Sequence, residues 1–259
     1  MEKSLAKPKL MCARVAICWV FGILIAALAN AAGLAQSSVD LELVLAVDVS
    51  GSVNQTRFEL QKEGYVAAFR NPRVLGAIGS GPAQAIAVTM VQWTGPSLQI
   101  QVIPWTVIRD QRSAEAFAAA VDSTPRQLFS GGTSISGAID YSLTLFAESG
   151  FRGSRRVIDV SGDGSNNRGR PAHLARDDAA RVGVGINGLP ILALEPNLDR
   201  YYYDNVIGGP GAFMVPAENY EAFAAAILKK LITEIADART SEQLLANEGD
   251  AKWRSRSQW

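Results

Sequence analysis

An apolar run, Leu41 to Val47, leads without a break into Asp48-Val49-Ser50-Gly51-Ser52, and few folds accommodate that junction. Four consecutive apolar residues, Val44 to Val47, read as a strand buried on both faces, the pattern of a central strand in a parallel sheet. A carboxylate and two hydroxyls then follow at every second residue, with Gly51 free to turn the backbone. Such a turn directs three oxygens into one small volume at the strand's carboxyl end, a hard-cation site in outline. The same residue types also suit an ordinary loop, so further ligands have to come from elsewhere in the chain.

Two later segments offer them. Phe129-Ser130-Gly131-Gly132-Thr133-Ser134 opens directly into an amphipathic helix with Ile135, Ala138, Ile139, Leu145 and Phe146 on one face. Thr133 or Ser134 can cap that helix, or Thr133 can bring a hydroxyl to the Asp48 site. Val157-Ile158-Asp159-Val160, a buried-strand run with one polar interruption, ends in Ser161-Gly162-Asp163-Gly164-Ser165-Asn166-Asn167.

Taken together these segments resemble the von Willebrand factor A superfamily. Asp48-x-Ser50-x-Ser52 is similar to the signature of its metal-ion-dependent adhesion site. The superfamily adds a threonine from a second loop, often after glycines, and an aspartate followed by glycine at the end of a third strand. Thr133 and Asp163-Gly164 stand in that order, while Asp159 lies too early within its strand. The resemblance implies that Asp48, Ser50, Ser52, Thr133 and Asp163 hold a divalent cation whose open face captures a carboxylate from a partner protein. Over residues 40–238 the chain is similar to a bacterial secreted subgroup of the superfamily whose role is not established, notably at Val206 to Phe213 and Ile186 to Ile191.

Composition narrows the ion. The candidate ligands are all oxygens, and beyond the first 35 residues the chain has no cysteine and one histidine, His173. Magnesium fits such a set, or manganese where it is more available, whereas soft or imidazole-rich zinc and copper sites do not.

The first stretch reads as a secretory signal peptide: Lys3, Lys7, Lys9 and Arg14, then uncharged Val15 to Leu28, then small residues to Ala35. The run is shorter than the ~20 apolar residues of a spanning helix. Its removal implies a periplasmic or secreted protein with no membrane contact of its own. Both cysteines, Cys12 and Cys18, leave with it, so no disulfide is possible, and the formal charge moves from 0 to −3. Nothing in that balance suggests nucleic acid or an anionic membrane as a partner. Residues 36–238 form one domain with a core, as a hydrophobic share of 48% allows, and the polar residues 239–259, with Trp253 and Trp259, form a mobile tail.

Within the domain the pattern alternates. Thr56 to Phe69 is helical, with Phe58, Tyr65, Val66 and Phe69 on one face, and Asn71-Pro72 ends it. Ala85 to Trp93 and Gln99 to Ile108 are strands whose five-residue link is too short for a parallel crossover, so they pair antiparallel at a sheet edge. Ser113 to Val121 is helical, as is Pro171 to Val182, with Pro171 in the first turn. Ile186 to Leu194 is another central strand, perturbed at Pro190. A loop from Glu195 to Gly211, a strand fragment from Ala212 to Val215, and a helix from Glu218 to about Ile235 follow. In that helix Tyr220, Phe223, Ile227, Leu231 and Ile235 are the buried stripe, with Lys229 and Lys230 facing water. The expected fold is a doubly wound, mostly parallel α/β sheet with one antiparallel edge strand and helices on both faces.

Other readings compete at the site. Gly162 to Asn167 also resembles the acidic motif of haloacid-dehalogenase-like phosphatases, in which Asp48 would be the nucleophile beside magnesium. That reading lacks a second aspartate at Ser50 and any lysine between Lys62 and Lys229. A Ser-His-Asp site would have to use His173, among charged residues of a surface helix, and no Walker lysine follows the glycines. The expectation is therefore a binding module, not an enzyme; a cation that only ties loops together is the third possibility. Tyr201-Tyr202-Tyr203 and Asp204 either flank the metal or pack on the domain's own core.

Overall fold

The computed structural model describes residues 36–236. The leader with Cys12 and Cys18, and the tail with Trp253 and Trp259, lie outside the described residues. Among the described residues no helix is long and apolar enough to cross a membrane.

Five strands form one sheet in the order β3-β2-β1-β4-β5: β1 (Ser37–Asp48), β2 (Ile86–Trp93), β3 (Gln99–Ile108), β4 (Phe151–Gly162) and β5 (Gly185–Pro190). β1 runs parallel to β2 with Leu41 opposite Ile86 and Asp48 opposite Trp93, and β4 runs parallel to β5. The short Thr94–Leu98 link makes β3 the antiparallel edge, as its length requires. Chain order reverses between β1 and β4, so their carboxyl ends, Asp48 and Gly162, flank the crevice where ligands of such sheets bind.

Every residue of β1 from Leu41 to Val47 is buried, but the two faces divide by alternation. Leu41, Leu43 and Leu45 join Tyr65, Phe69, Phe117, Phe223 and Leu231 on one face. Val44 and Ala46 join Trp93, Ile139, Ile158, Ile186 and Tyr202 on the other. The first face is covered by α1 (Gln55–Arg70), α2 (Pro72–Ser80), α3 (Gln111–Ser123) and α7 (Phe223–Ile235), the second by α4 (Ile135–Leu145), α5 (Ala172–Arg181) and α6 (Leu198–Asn205). Gly64 lets α1 and α7 meet closely: a Cβ there would stand 2.6 Å from the Phe223 ring.

Several expectations need correction. Asn71-Pro72 ends α1 but also starts α2, because the Asn71 side chain accepts from Arg73 N at 3.0 Å and Pro72 needs no amide partner in a first turn. Pro171 precedes α5 in an extended conformation rather than sitting inside it. β5 is the far edge strand and ends at Pro190, whose carbonyl accepts from Ala217 N at 2.9 Å; isolated bridges at Met214 and Ala217 replace a strand over 212–215. The segment read as a loop from Glu195 to Gly211 contains α6, and α7 starts at Phe223, not Glu218.

The largest correction is Lys230. Lys229 is exposed, but Lys230 is fully buried, with Nζ 2.7 Å from Asp159 Oδ1 and 3.4 Å from Glu234 Oε1. Asn187, opposite Asp159 on β5, donates to Glu234 at 2.7 Å and accepts from Phe213 N at 2.9 Å, and the Phe213 ring lies 5.3 Å from the ammonium. The polar interruption in β4 is thus answered by a lysine from α7. Burial still outweighs that ammonium and pushes the Asp159 carboxyl above its ordinary value.

Candidate metal centre

Three loops at the carboxyl end of the sheet bring the five expected residues to one rim. Asp48 closes β1, where Val49 N donates to Trp93 O at 3.0 Å and Gln61 Nε2 to Asp48 O at 3.2 Å. The chain then turns through Ser50, with Val53 N donating to Ser50 O at 3.0 Å. Gly51 does not carry this turn, since its φ is not positive and a Cβ there would meet open space. Instead Arg126 holds the loop from beneath, donating through Nη2 to Val49 O at 2.9 Å and Ser50 O at 3.0 Å.

The conformationally demanding glycines precede Thr133. Gly131 and Gly132 have φ of 120° and 80°, a region that favours glycine. Asn167 then fastens Thr133: its Oδ1 accepts Thr133 N at 3.0 Å and its N donates to Thr133 O at 2.9 Å. Asn166 Oδ1 accepts Ser136 N at 3.0 Å. Ser134 takes the helix cap, accepting from Gly137 N at 3.2 Å, which leaves the Thr133 hydroxyl to the rim.

Asp48, Ser50, Ser52 and Asp163 form one hydrogen-bonded chain. Ser50 N donates to Asp48 Oδ1 at 2.7 Å, Ser50 Oγ lies 3.2 Å from Ser52 Oγ, and Ser52 Oγ donates to Asp163 Oδ1 at 2.6 Å. Tyr220 donates to Asp163 Oδ2 at 2.8 Å. Thr133 is placed beside this chain rather than bonded into it, its Oγ1 being 3.9 Å from the position a Cβ on Gly164 would take. Glu195 Oε2 lies 3.8 Å from that same point and accepts Ser165 N at 2.7 Å, with the Ser165 hydroxyl on its other oxygen.

Electrostatically the centre is short of positive charge. Asp48, Ser50 and Asp163 are at most 1% exposed and Thr133 6%. Burial, and then the neighbouring Asp163, push the Asp48 carboxyl up to about 7 against the pull of the Ser50 amide and hydroxyl and of the Asp163 amide. Its Oδ2 is buried with no hydrogen-bond partner. The partly buried Arg57 reaches only to 3.8 Å from Asp163 Oδ2, and its stronger bond, 2.6 Å, goes to Ser52 O. Two adjoining carboxylates and three hydroxyls suit a hard divalent cation. Among the described residues no group of three or more His, Cys, Asp and Glu side chains could hold a metal, so hydroxyls must complete any such shell.

The other sequence candidates lie outside this chain of oxygens. His173 is half-buried on α5, lining a shallow depression with Asn166, Asn167 and Tyr201. The tyrosine triplet divides: Tyr202 is buried in the core, the Tyr201 hydroxyl accepts Asn166 N at 3.3 Å, and Tyr203 is 63% exposed. Asp204 pairs with Arg200 at 2.7 Å. Residues that the sequence pattern did not single out are Tyr220, Asn166, Asn167, Glu195, Arg57 and Arg126. Asn166-Asn167, one residue beyond Asp163-Gly164, is the one visible signal, as side chains suited to tying loops.

Strand order, the switch-point crevice and the three loops define a von Willebrand factor A fold, and solved structures agree. A von Willebrand factor type A protein from Catenulispora acidiphila matches with a TM-score of 0.54 at 16% identity, covering 76% of this chain and 43% of that one. The pilus adhesin SpaC from Lactobacillus rhamnosus GG, in its open conformation, matches at 0.53 and 16%, covering 76% and 30%. Proximal thread matrix protein 1 from the mussel byssus, with a zinc-occupied MIDAS motif, matches at 0.52 and 13%, covering 75% and 45%. The chain thus spans less than half the length of each of these structures. Within that fold, the chain belongs to the family described as "Protein of unknown function (DUF1194)", whose model matches residues 38–239. No curated protein sequence matches it.

Proposed function

We propose that this protein binds a divalent cation at Asp48, Ser50, Ser52, Thr133 and Asp163 and uses it to engage a carboxylate of a partner protein, outside the cytoplasm once the leader is removed. The observation that carries the reading is the pair of adjoining buried carboxylates, Asp48 and Asp163, whose charge the partly buried Arg57 meets only at 3.8 Å from Asp163 Oδ2. Isolated carboxylates are costly to bury, and a cation offsets that cost. Magnesium or manganese fits the oxygen-only donors better than zinc, which favours nitrogen and sulfur. The zinc-occupied MIDAS of the byssus protein supports a divalent site in this fold, and the pilus adhesin supports binding rather than turnover.

Capture of extracellular or periplasmic proteins on the immobilised chain, with magnesium or with EDTA, tests the reading. The expected result is a partner retained in magnesium, eluted by EDTA, and absent on an Asp48→Ala column. Equal retention in EDTA contradicts it. A metal that raises thermal stability yet recruits nothing leaves the cation as a purely structural tie.

A further inference from the structure

The two aspartates of the centre differ in how their second oxygen is held. In Asp163, Oδ1 accepts the Ser52 hydroxyl at 2.6 Å and Oδ2 accepts the Tyr220 hydroxyl at 2.8 Å. In Asp48, Oδ1 accepts Ser50 N at 2.7 Å, while Oδ2 is buried and unpartnered. A second buried polar atom in the same state is the Tyr202 hydroxyl. Both oxygens face Gly162: a Cβ on that residue would stand 2.9 Å from Asp48 Oδ2 and 3.0 Å from Tyr202 Oη.

The approach of Tyr202 is set by packing. It belongs to α6, is fully buried, and its ring lies against Gly188 of β5, where a Cβ would be 2.7 Å from Cδ1. Glycines at 162 and 188 therefore clear the path by which a phenol reaches the floor of the centre. A phenol is a hydrogen-bond donor at neutral pH and an ionised carboxylate is an acceptor only.

We infer that Tyr202 is a positioning residue of this centre: when a cation draws Asp48 into place, its hydroxyl takes up the inner oxygen of that carboxylate, as the Tyr220 hydroxyl already holds Asp163, and so fixes how Asp48 presents its outer oxygen to the cation. The inference rests on the cation reading above. Partners of this kind orient metal ligands, and losing one lowers metal affinity by about 10- to 100-fold.

Tyr202→Phe tests it, with manganese titrated calorimetrically into the full chain and thermal unfolding followed in EDTA. Manganese affinity should fall about tenfold or more, with the EDTA midpoint unchanged or raised, because the deleted hydroxyl has no partner in the metal-free protein. Tyr220→Phe is the reference: it removes a formed hydrogen bond and should lower both quantities. Affinity within twofold of the parent overturns the role of Tyr202 and leaves the cation reading standing. A parallel loss of affinity and EDTA stability in Tyr202→Phe also overturns it, marking a packing role alone. A parent that binds no manganese overturns the cation reading, and this inference with it.

Discussion

Replacing Lys230 by methionine should cost this domain a large fraction of its stability, although the position looks like one of a pair of solvated lysines. The substitution keeps the side chain's stem and removes an ammonium that lies 2.7 Å from Asp159 Oδ1 and 3.4 and 3.5 Å from the two Glu234 oxygens. Two buried carboxylates are then left without their cation, and Asn187, at 2.7 Å, still serves only Glu234. Breaking a buried pair from one side costs about 3–5 kcal/mol. For a domain of this size that is a fall in melting temperature of about 6–20 °C. The deficit also has a pH sign. Burial already holds the Asp159 carboxyl above its ordinary value, and losing the ammonium raises it further. The folded variant then binds a proton that the unfolded chain releases at lower pH, so its stability falls as pH rises through that window. The deficit should therefore be larger at pH 8 than at pH 5, and Lys230→Met with Asp159→Leu should recover most of it. Circular dichroism melts of the parent and both variants decide. A single-variant loss under about 1 kcal/mol, the size expected of a surface pair, would refute the reasoning.

Three further outcomes follow from the same geometry. In EDTA at pH 8, Asp48→Asn should melt above the parent, because it removes a buried charge whose carboxyl is pushed up to about 7 by burial and Asp163; a group raised this way weakens the fold above its folded value and ceases to do so as pH falls toward its unfolded value. The same variant should show no thermal response to magnesium. Asn167→Ala, which frees the Thr133 amide and loosens Gly131 to Thr133, should lower stability by about 1 kcal/mol yet weaken manganese binding severalfold, read by calorimetry. Gly64→Ala forces a Cβ to 2.6 Å from the Phe223 ring and 3.2 Å from the Ala224 Cα, so a loss of about 1–3 kcal/mol is expected in denaturant titrations.

What the sequence could show depended on whether chemistry or packing wrote the pattern. The strand ending in Asp48, the antiparallel β2–β3 pair and α1 were legible because burial on two faces, a five-residue link and a helical apolar period each leave a local mark. Lys230 was not, since its i+4 spacing to Glu234 is also that of an exposed pair; only the polar interruption at Asp159 hinted that something charged had to meet it. The Asn71-Pro72 pair reads as a stop, and nothing in its local pattern shows that it also starts α2. In the centre, the five oxygen residues stood out as a motif, whereas Tyr202, Tyr220, Glu195 and Asn167 did not. Tyr220 reads as an apolar stripe residue, and Tyr202, in a tyrosine triplet, reads equally as a flank of the metal or as core, because ring burial and hydroxyl chemistry share one letter. Gly51 reads as the turning residue of its loop, yet the positive φ values lie at Gly131 and Gly132 before Thr133.

The central claim is that Asp48 and Thr133, from loops far apart in sequence, belong to one cation site. Calorimetric titration of magnesium, then manganese, into the parent, Asp48→Ala and Thr133→Ala addresses it most directly. The account predicts binding in the parent that is lost in Asp48→Ala and lost or strongly weakened in Thr133→Ala. A parent that binds neither ion up to millimolar concentration, or binding that survives both substitutions, would contradict it.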